Sequence, residues 1–187
     1  TVPLPPAARL HFGRLGLDDG LSQSVVLSIV QDTLGFMWFG TQDGLNRYDG
    51  RAFRTFNQVE GDATSLSDSW ICSLALDAQG DLWAGTRQGG ANRYDARKGT
   101  FIRYQHQEDV AGSLSDNNVH ALFSDAQGRL WLGTNAGLDL FDPEAQTFSH
   151  YQLPDADELS VHAIAQDLQG MLWLGTPHAL WRFDPAG

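Results

Sequence analysis

Asp32, Asp77, Asp125 and Asp167 are the side chains that look best suited to acid–base or nucleophilic chemistry, since carboxylates can fill either role. Their spacing argues against that use. Each stands three residues before a glycine that opens one recurring string: Gly35-Phe36-Met37-Trp38-Phe39-Gly40-Thr41, Gly80-Asp81-Leu82-Trp83-Ala84-Gly85-Thr86, Gly128-Arg129-Leu130-Trp131-Leu132-Gly133-Thr134 and Gly170-Met171-Leu172-Trp173-Leu174-Gly175-Thr176. A reaction needs its carboxylate once, whereas these recur in register. Asp-x-x-Gly is turn chemistry: the carboxylate bonds its own backbone and glycine supplies a positive φ. The four aspartates are therefore expected to cap turns. Trp38, Trp83, Trp131 and Trp173 are expected to fill a core rather than offer a sugar platform. A glycoside hydrolase would want two inequivalent carboxylates converging, but Glu60, Glu108, Glu144 and Glu158 all fall in predicted loops. Gly-x-Ser-x-Gly, His-Glu-x-x-His and a phosphate-cradling loop ahead of a helix are all missing, so no catalytic residue is assigned.

Two histidines call for separate weighing. Counting back five from each repeat aspartate gives Leu27, Cys72, His120 and His162, so the histidines hold equivalent positions in neighbouring repeats. They are expected to approach one another. No Cys/His spacing supplies the third and fourth ligands of a structural metal site, so neither a metal nor a cofactor is assigned. The pair reads first as partly buried structural histidines and second as a pH-sensitive ligand contact.

The elements that position these residues follow from the repeat. The opening glycines lie 45, 48 and 42 residues apart. Each unit carries a β-rich stretch (25–30, 70–76, 119–123, 161–165), the Trp-containing string, and a short strand ending in aromatic-Asp at Tyr48-Asp49, Tyr94-Asp95, Phe141-Asp142 and Phe183-Asp184. A fourth strand follows in three copies, over 53–56, 101–104 and 148–151. The Trp-bearing strand is apolar on both faces, as when a sheet is covered on both sides. A period of 42–48 residues with four strands per unit predicts an all-β protein: a β-propeller with four blades of four-stranded antiparallel sheet.

The expected division is an irregular leader over 1–10 followed by repeats over 11–50, 51–97, 98–143 and 144–187, with 11–16 as a closing strand. Four blades sit at the bottom of the usual range of about 4–8, and the favoured reading is a fragment of a propeller of about seven blades. Such a fragment bares two blade faces, which predicts a homodimer or other self-association. The extra residue at Gly89-Gly90 predicts a bulge or looser turn.

Binding residues should lie where the repeats differ. Strands of a meander alternate in direction, so two sets of loops share one face of the ring. That face collects Gln42, Trp70, Arg87, Asn117, Asn118, Asn135 and His178, which with His120 and His162 form the candidate ligand-binding set. An ordinary solvated rim is the alternative.

Composition sets the outer limits. The net charge is −11, which repels phosphate backbones and disfavours nucleic acid and anionic membrane surfaces. A single cysteine, Cys72, allows no intrachain disulfide. No apolar run approaches the roughly 20 residues that span a bilayer.

The string from Leu21-Ser22 through Val30-Gln31-Asp32, Gly35, Trp38, Gly40-Thr41 to Gly44-Leu45-Asn46-Arg47-Tyr48-Asp49 resembles the two-component regulator propeller repeat, and the likeness recurs from about Phe12 to Asp184. The resemblance implies the periplasmic sensor region of a bacterial hybrid histidine kinase, cut from a membrane-anchored parent and sensing a small molecule or an oligosaccharide. Related propellers precede diguanylate cyclases. The fourth copy departs most: Leu159-Ser160 lies three residues closer to its aspartate than in the other copies, and Ala179 replaces the turn glycine. Besides a sensor, the fold admits an interaction scaffold and, less readily, a propeller glycosidase or lyase.

Overall fold

The computed structural model describes residues 12–154 and 159–185; the leader expected over 1–10 lies outside them. The described residues form four antiparallel sheets arranged as blades. Blade 1 holds β1 (Val26–Gln31), β2 (Met37–Thr41), β3 (Gly44–Tyr48) and β4 (Phe53–Phe56). Blade 2 holds β5 (Ile71–Leu76), β6 (Leu82–Thr86), β7 (Ala91–Asp95) and β8 (Thr100–Tyr104). Blade 3 holds β9 (Val119–Ser124), β10 (Leu130–Thr134), β11 (Gly137–Asp142) and β12 (Thr147–Tyr151). Blade 4 has three strands, β13 (Ala163–Gln166), β14 (Leu172–Gly175) and β15 (Leu180–Phe183).

Each blade is a meander whose inner hairpin is closed by the repeat aspartate. One carboxylate oxygen of Asp77 accepts the backbone N–H groups of Gln79 and Asp81, and the other accepts the Trp83 indole N–H at 2.8 Å. Asp32, Asp125 and Asp167 do the same for Trp38, Trp131 and Trp173. The aspartate thus caps its turn and also fixes the ring that fills the core. The first role was expected from Asp-x-x-Gly; the second was not.

The cores lie between blades. Trp38, Leu45 and Phe56 of blade 1 pack with Ile71, Leu74, Tyr94 and Phe101 of blade 2. Trp83 and Ala91 pack with Val119, Leu132, Phe141 and Phe148 of blade 3. Trp131 and Leu138 pack with Val161, Leu172 and Leu174 of blade 4. A glycine in each Trp-bearing strand permits this approach. A Cβ on Gly40 would stand 2.7 Å from Ile71, one on Gly85 2.7 Å from Val119, and one on Gly133 2.5 Å from the Val161 carbonyl.

Inner strands of successive blades pack side by side from blade 1 to blade 4, and the sheets do not close into a ring. Two expectations are corrected. Residues 12–16 form no strand, Phe12 is 92% exposed, and blade 4 gains no fourth strand from them. An outer strand needs a neighbouring strand edge; blade 1 already has β4, and the open arc does not bring β15 to the chain start. The sheets also divide the chain one strand later than the repeat bounds, because β4, β8 and β12 pair with the three strands before them. The looser turn at Gly89-Gly90 is present: Thr86 bonds Gly90 across three residues, where Thr41 pairs with Gly44 across two.

Candidate polar binding face

The inner strands carry a local irregularity at the position that sequence counting singled out. The pairing of β1 with β2 shifts between Val26 and Ser28, that of β5 with β6 between Ile71 and Ser73, and that of β9 with β10 between Val119 and Ala121. The skipped residues are Leu27, Cys72 and His120. A bulge residue leaves the ladder and its side chain is re-aimed, a device common beside binding sites. His162 sits at the equivalent place just before β13.

Backbone bonds stitch the loops of this face together. Across blades, Gly44 donates to the Ser69 carbonyl, Gly90 to Asn117 and Val161 to Thr134, while Arg87 donates to Trp70 within blade 2. The loops entering each blade are therefore fixed against the hairpin of the blade before it. Beneath them lies a buried polar layer. Asn46 accepts from the Ser22 backbone and donates to its hydroxyl, and Asn92 treats Ser67 in the same way. In blade 3 the residue is Asp139, fully buried, which accepts from Ser115 and pairs with His150 at 2.8 Å. Sequence reading missed this layer, although Asn46, Asn92 and Asp139 occupy one repeat position and so carried a signal.

The candidate residues separate into groups. His120 and His162 meet, with ring centroids 4.1 Å apart and planes inclined by 40°. Asn135 joins them: its Oδ1 faces His120 Nε2 at 2.7 Å and accepts from the Ser160 hydroxyl, while His162 Nε2 lies 2.8 Å from the same hydroxyl. Burial, with the adjacent His120 adding to it, holds the His162 pKa below the ordinary histidine value. Trp70 and Arg87 form a second group, the guanidinium 4.2 Å from the ring centroid. Asp68 braces it by accepting the Trp70 and Gln88 backbone N–H groups. Burial, reinforced by the Asp68 charge, pushes nearby Cys72 up to about 11, so it stays a thiol at neutral pH.

The other four stand apart. Asn117 is occupied structurally, accepting the His106 backbone N–H. Asn118 follows an Asx turn in which its N–H donates to Asp116. Gln42 lies in blade 1 against Gln23, and His178 is exposed on the β14–β15 turn.

A cavity of about 380 Å³ sits between blades 3 and 4, lined by Leu138, Tyr151, Leu174, Trp181 and Phe183. Blades 2 and 3 place Phe101 and Phe148 of their outer strands in this layer, and among the described residues blade 4 has no such strand. It is an unfilled core layer. Among the described residues no cluster of three or more His, Cys, Asp or Glu is placed to hold a metal. No helix among them is long and apolar enough to cross a membrane.

These features define a class: an open arc of propeller blades whose repeated polar residues are spent on architecture and whose unrepeated ones gather on one face. The model of the two-component regulator propeller family matches residues 20–43, 65–88 and 113–136, the first three copies of the repeat. The fourth copy lies outside the matched segments.

The chain is 51% identical over 49 residues to histidine kinase P4 of Formosa agariphila, a match covering 26% of this chain and 4% of that protein. Its fold superposes with a TM-score of 0.74 and 27% identity on a protein described as the extracellular domain of the hybrid two component system BT3049 from B. thetaiotaomicron, covering 93% of this chain and 30% of that one. Virginiamycin B lyase from Staphylococcus aureus shares the fold, at a TM-score of 0.64 and 12% identity over 89% of this chain and 58% of that one. The chain thus spans a small part of the histidine kinase and under a third of the BT3049 domain.

Proposed function

We propose that this chain is a ligand-recognition part of the periplasmic sensor region of a membrane-anchored hybrid histidine kinase, and that it binds without catalysing. One observation carries the reading. The carboxylates that recur in every blade are consumed by turn N–H groups and indoles, while side chains that differ between blades form two separate clusters, His120–His162–Asn135 and Trp70–Arg87, at the loop ends of the inner strands. Those side chains offer an indole stacked under a guanidinium, two imidazoles and an amide. Such a set suits a polar ligand, with a small molecule or oligosaccharide as its class. The likeness to a histidine kinase and to an extracellular two-component domain supports the same direction. A sensor of the diguanylate cyclase type would use the same face.

The test is thermal unfolding of the chain and of its Trp70→Ala variant against an oligosaccharide panel. Trp70 is only half-buried, so the variant should keep its far-ultraviolet spectrum while losing the ligand-dependent rise in Tm. A rise that survives the substitution would move recognition off this face.

A second reading, an interaction scaffold that self-associates, is favoured by Leu27 and Ile29 of β1, which are 45% and 57% exposed. Repeating the melts at several protein concentrations separates the two, since self-association makes Tm depend on concentration.

A further inference from the structure

We propose that His120 and His162 form a two-imidazole site for a borderline divalent transition-metal ion of the Zn²⁺, Ni²⁺ or Cu²⁺ class, joining blades 3 and 4. The two rings come from equivalent repeat positions, His120 a bulge residue of β9 and His162 the residue just before β13. Their hydrogen bonds fix where the protons lie. Asn135 Oδ1 only accepts, so His120 Nε2, 2.7 Å away, must carry a hydrogen. Ser160 has one hydroxyl hydrogen and directs it to the same Oδ1 at 3.2 Å. With that hydrogen given to Asn135, His162 Nε2, 2.8 Å from the Ser160 oxygen, is the donor of its contact as well. In this network both histidines are the Nε2–H tautomer, and neither Nδ1 takes part in the hydrogen bonds that link them to Asn135 and Ser160.

This is the arrangement a metal-binding imidazole requires. One ring nitrogen donates to an outer acceptor, which fixes tautomer and orientation, and the other is left as a σ-donor. Here a single amide and hydroxyl chain serves both rings. Imidazole nitrogen selects the borderline ions over Mg²⁺ and Ca²⁺, which prefer oxygen. No third His, Cys, Asp or Glu joins the pair among the described residues, so the bound ion keeps open positions for water or an exogenous ligand. The site uses imidazoles and an amide of the face proposed for recognition, but its test is separate: metal binding does not need an organic ligand, and recognition at Trp70 does not need the metal.

Titration calorimetry of the metal-free chain with Zn²⁺ alone, and electron paramagnetic resonance with Cu²⁺, test it. The expected result is one ion per chain, a Cu²⁺ spectrum split by two nitrogens, and loss of both in His120→Ala and in His162→Ala. Asn135→Ala, which removes the outer acceptor and leaves both imidazoles, should weaken Zn²⁺ binding by about tenfold or more. Circular dichroism of each variant separates loss of the site from loss of the fold. Absence of binding to the wild-type chain, or binding unchanged in both histidine variants and therefore owed to other histidines, overturns the site.

Discussion

Blades 2 and 3 differ from blades 1 and 4 in one respect: they have a neighbour on each side. The Trp-bearing strands β6 and β10 are buried at all five positions, whereas β2 and β14 each have two half-buried positions. The inner strands show it more sharply. β5 has four buried positions of six, while β1 and β13 have none. The local sequences are nearly interchangeable, so the difference comes from what each blade packs against. Little of a blade's burial is its own; most arises at the seam with the next blade, as in any repeat architecture where stability is a sum of unit and interface contributions.

The largest expected effect breaks a seam. Trp83 is fully buried, stacks on Tyr104 and meets Phe141 of blade 3. Trp83→Ala should destabilise the chain by about 3–5 kcal/mol in urea unfolding. Trp173 bonds Asp167 like its counterparts, but it is only half-buried and joins no core cluster, with Arg182 5.9 Å from its ring. Trp173→Ala should cost less than half as much. Equal losses would mean that the tryptophan stabilises its own blade rather than the seam.

The next effect uses the strand glycine. A Cβ on Gly133 would meet the Val161 carbonyl at 2.5 Å and its Cγ1 at 2.9 Å, both on the following blade. The backbone oxygen cannot swing away, so Gly133→Ala should cost about 1–3 kcal/mol. The same glycine in blade 4, Gly175, has as its nearest contact Ala163 of its own sheet at 3.3 Å. Gly175→Ala should therefore lie within about 0.5 kcal/mol of the wild type in the same titration. A large loss at Gly175 would show that something covers the blade 4 face in solution.

The same comparison explains what the sequence could and could not disclose. Period, strand order and Asp-x-x-Gly turns are local signals, and they place all four blades. The seam leaves a fainter trace, because Gly40, Gly85, Gly133 and Gly175 look alike although only three of them face a neighbour. The strand expected near Phe12 failed for a related reason: an outer strand is defined by the edge it pairs with, and Phe-x-x-Leu carries no record of that edge. At the candidate face, equivalence by counting brought His120 and His162 together correctly. It could not reveal Asn135 and Ser160 as the link between them, because Ser160 reaches that place through a shortened loop present in one repeat. Asn117, chosen as a ligand contact, proved to be bound to the His106 backbone, since a loop amide reads the same whether it serves a ligand or the loop.

The smallest effect concerns charge. Asp125 is buried, which alone would raise its pKa, but the Trp131 indole, the Arg129 backbone N–H and the Arg129 guanidinium at 2.6 Å outweigh that and hold it below 3.8. Asp167 is also lowered, first by the Trp173 indole and against a smaller opposing effect of burial, but without an arginine bonded to its carboxylate. A carboxyl with a depressed folded pKa binds its proton more weakly in the folded state than in the unfolded one. Its stabilisation is therefore complete above the ordinary value near 3.8 and disappears as the pH falls through the folded value. Asp125→Asn keeps the shape but cannot titrate and loses the ion pair with Arg129. The stability gap between wild type and Asp125→Asn should thus be widest near neutral pH and close as the pH drops below about 4. For Asp167→Asn in the terminal blade the gap should be narrower throughout. A gap of constant width for Asp125→Asn would assign its cost to amide packing instead of the carboxylate charge, and the inner and terminal blades would then differ in burial alone.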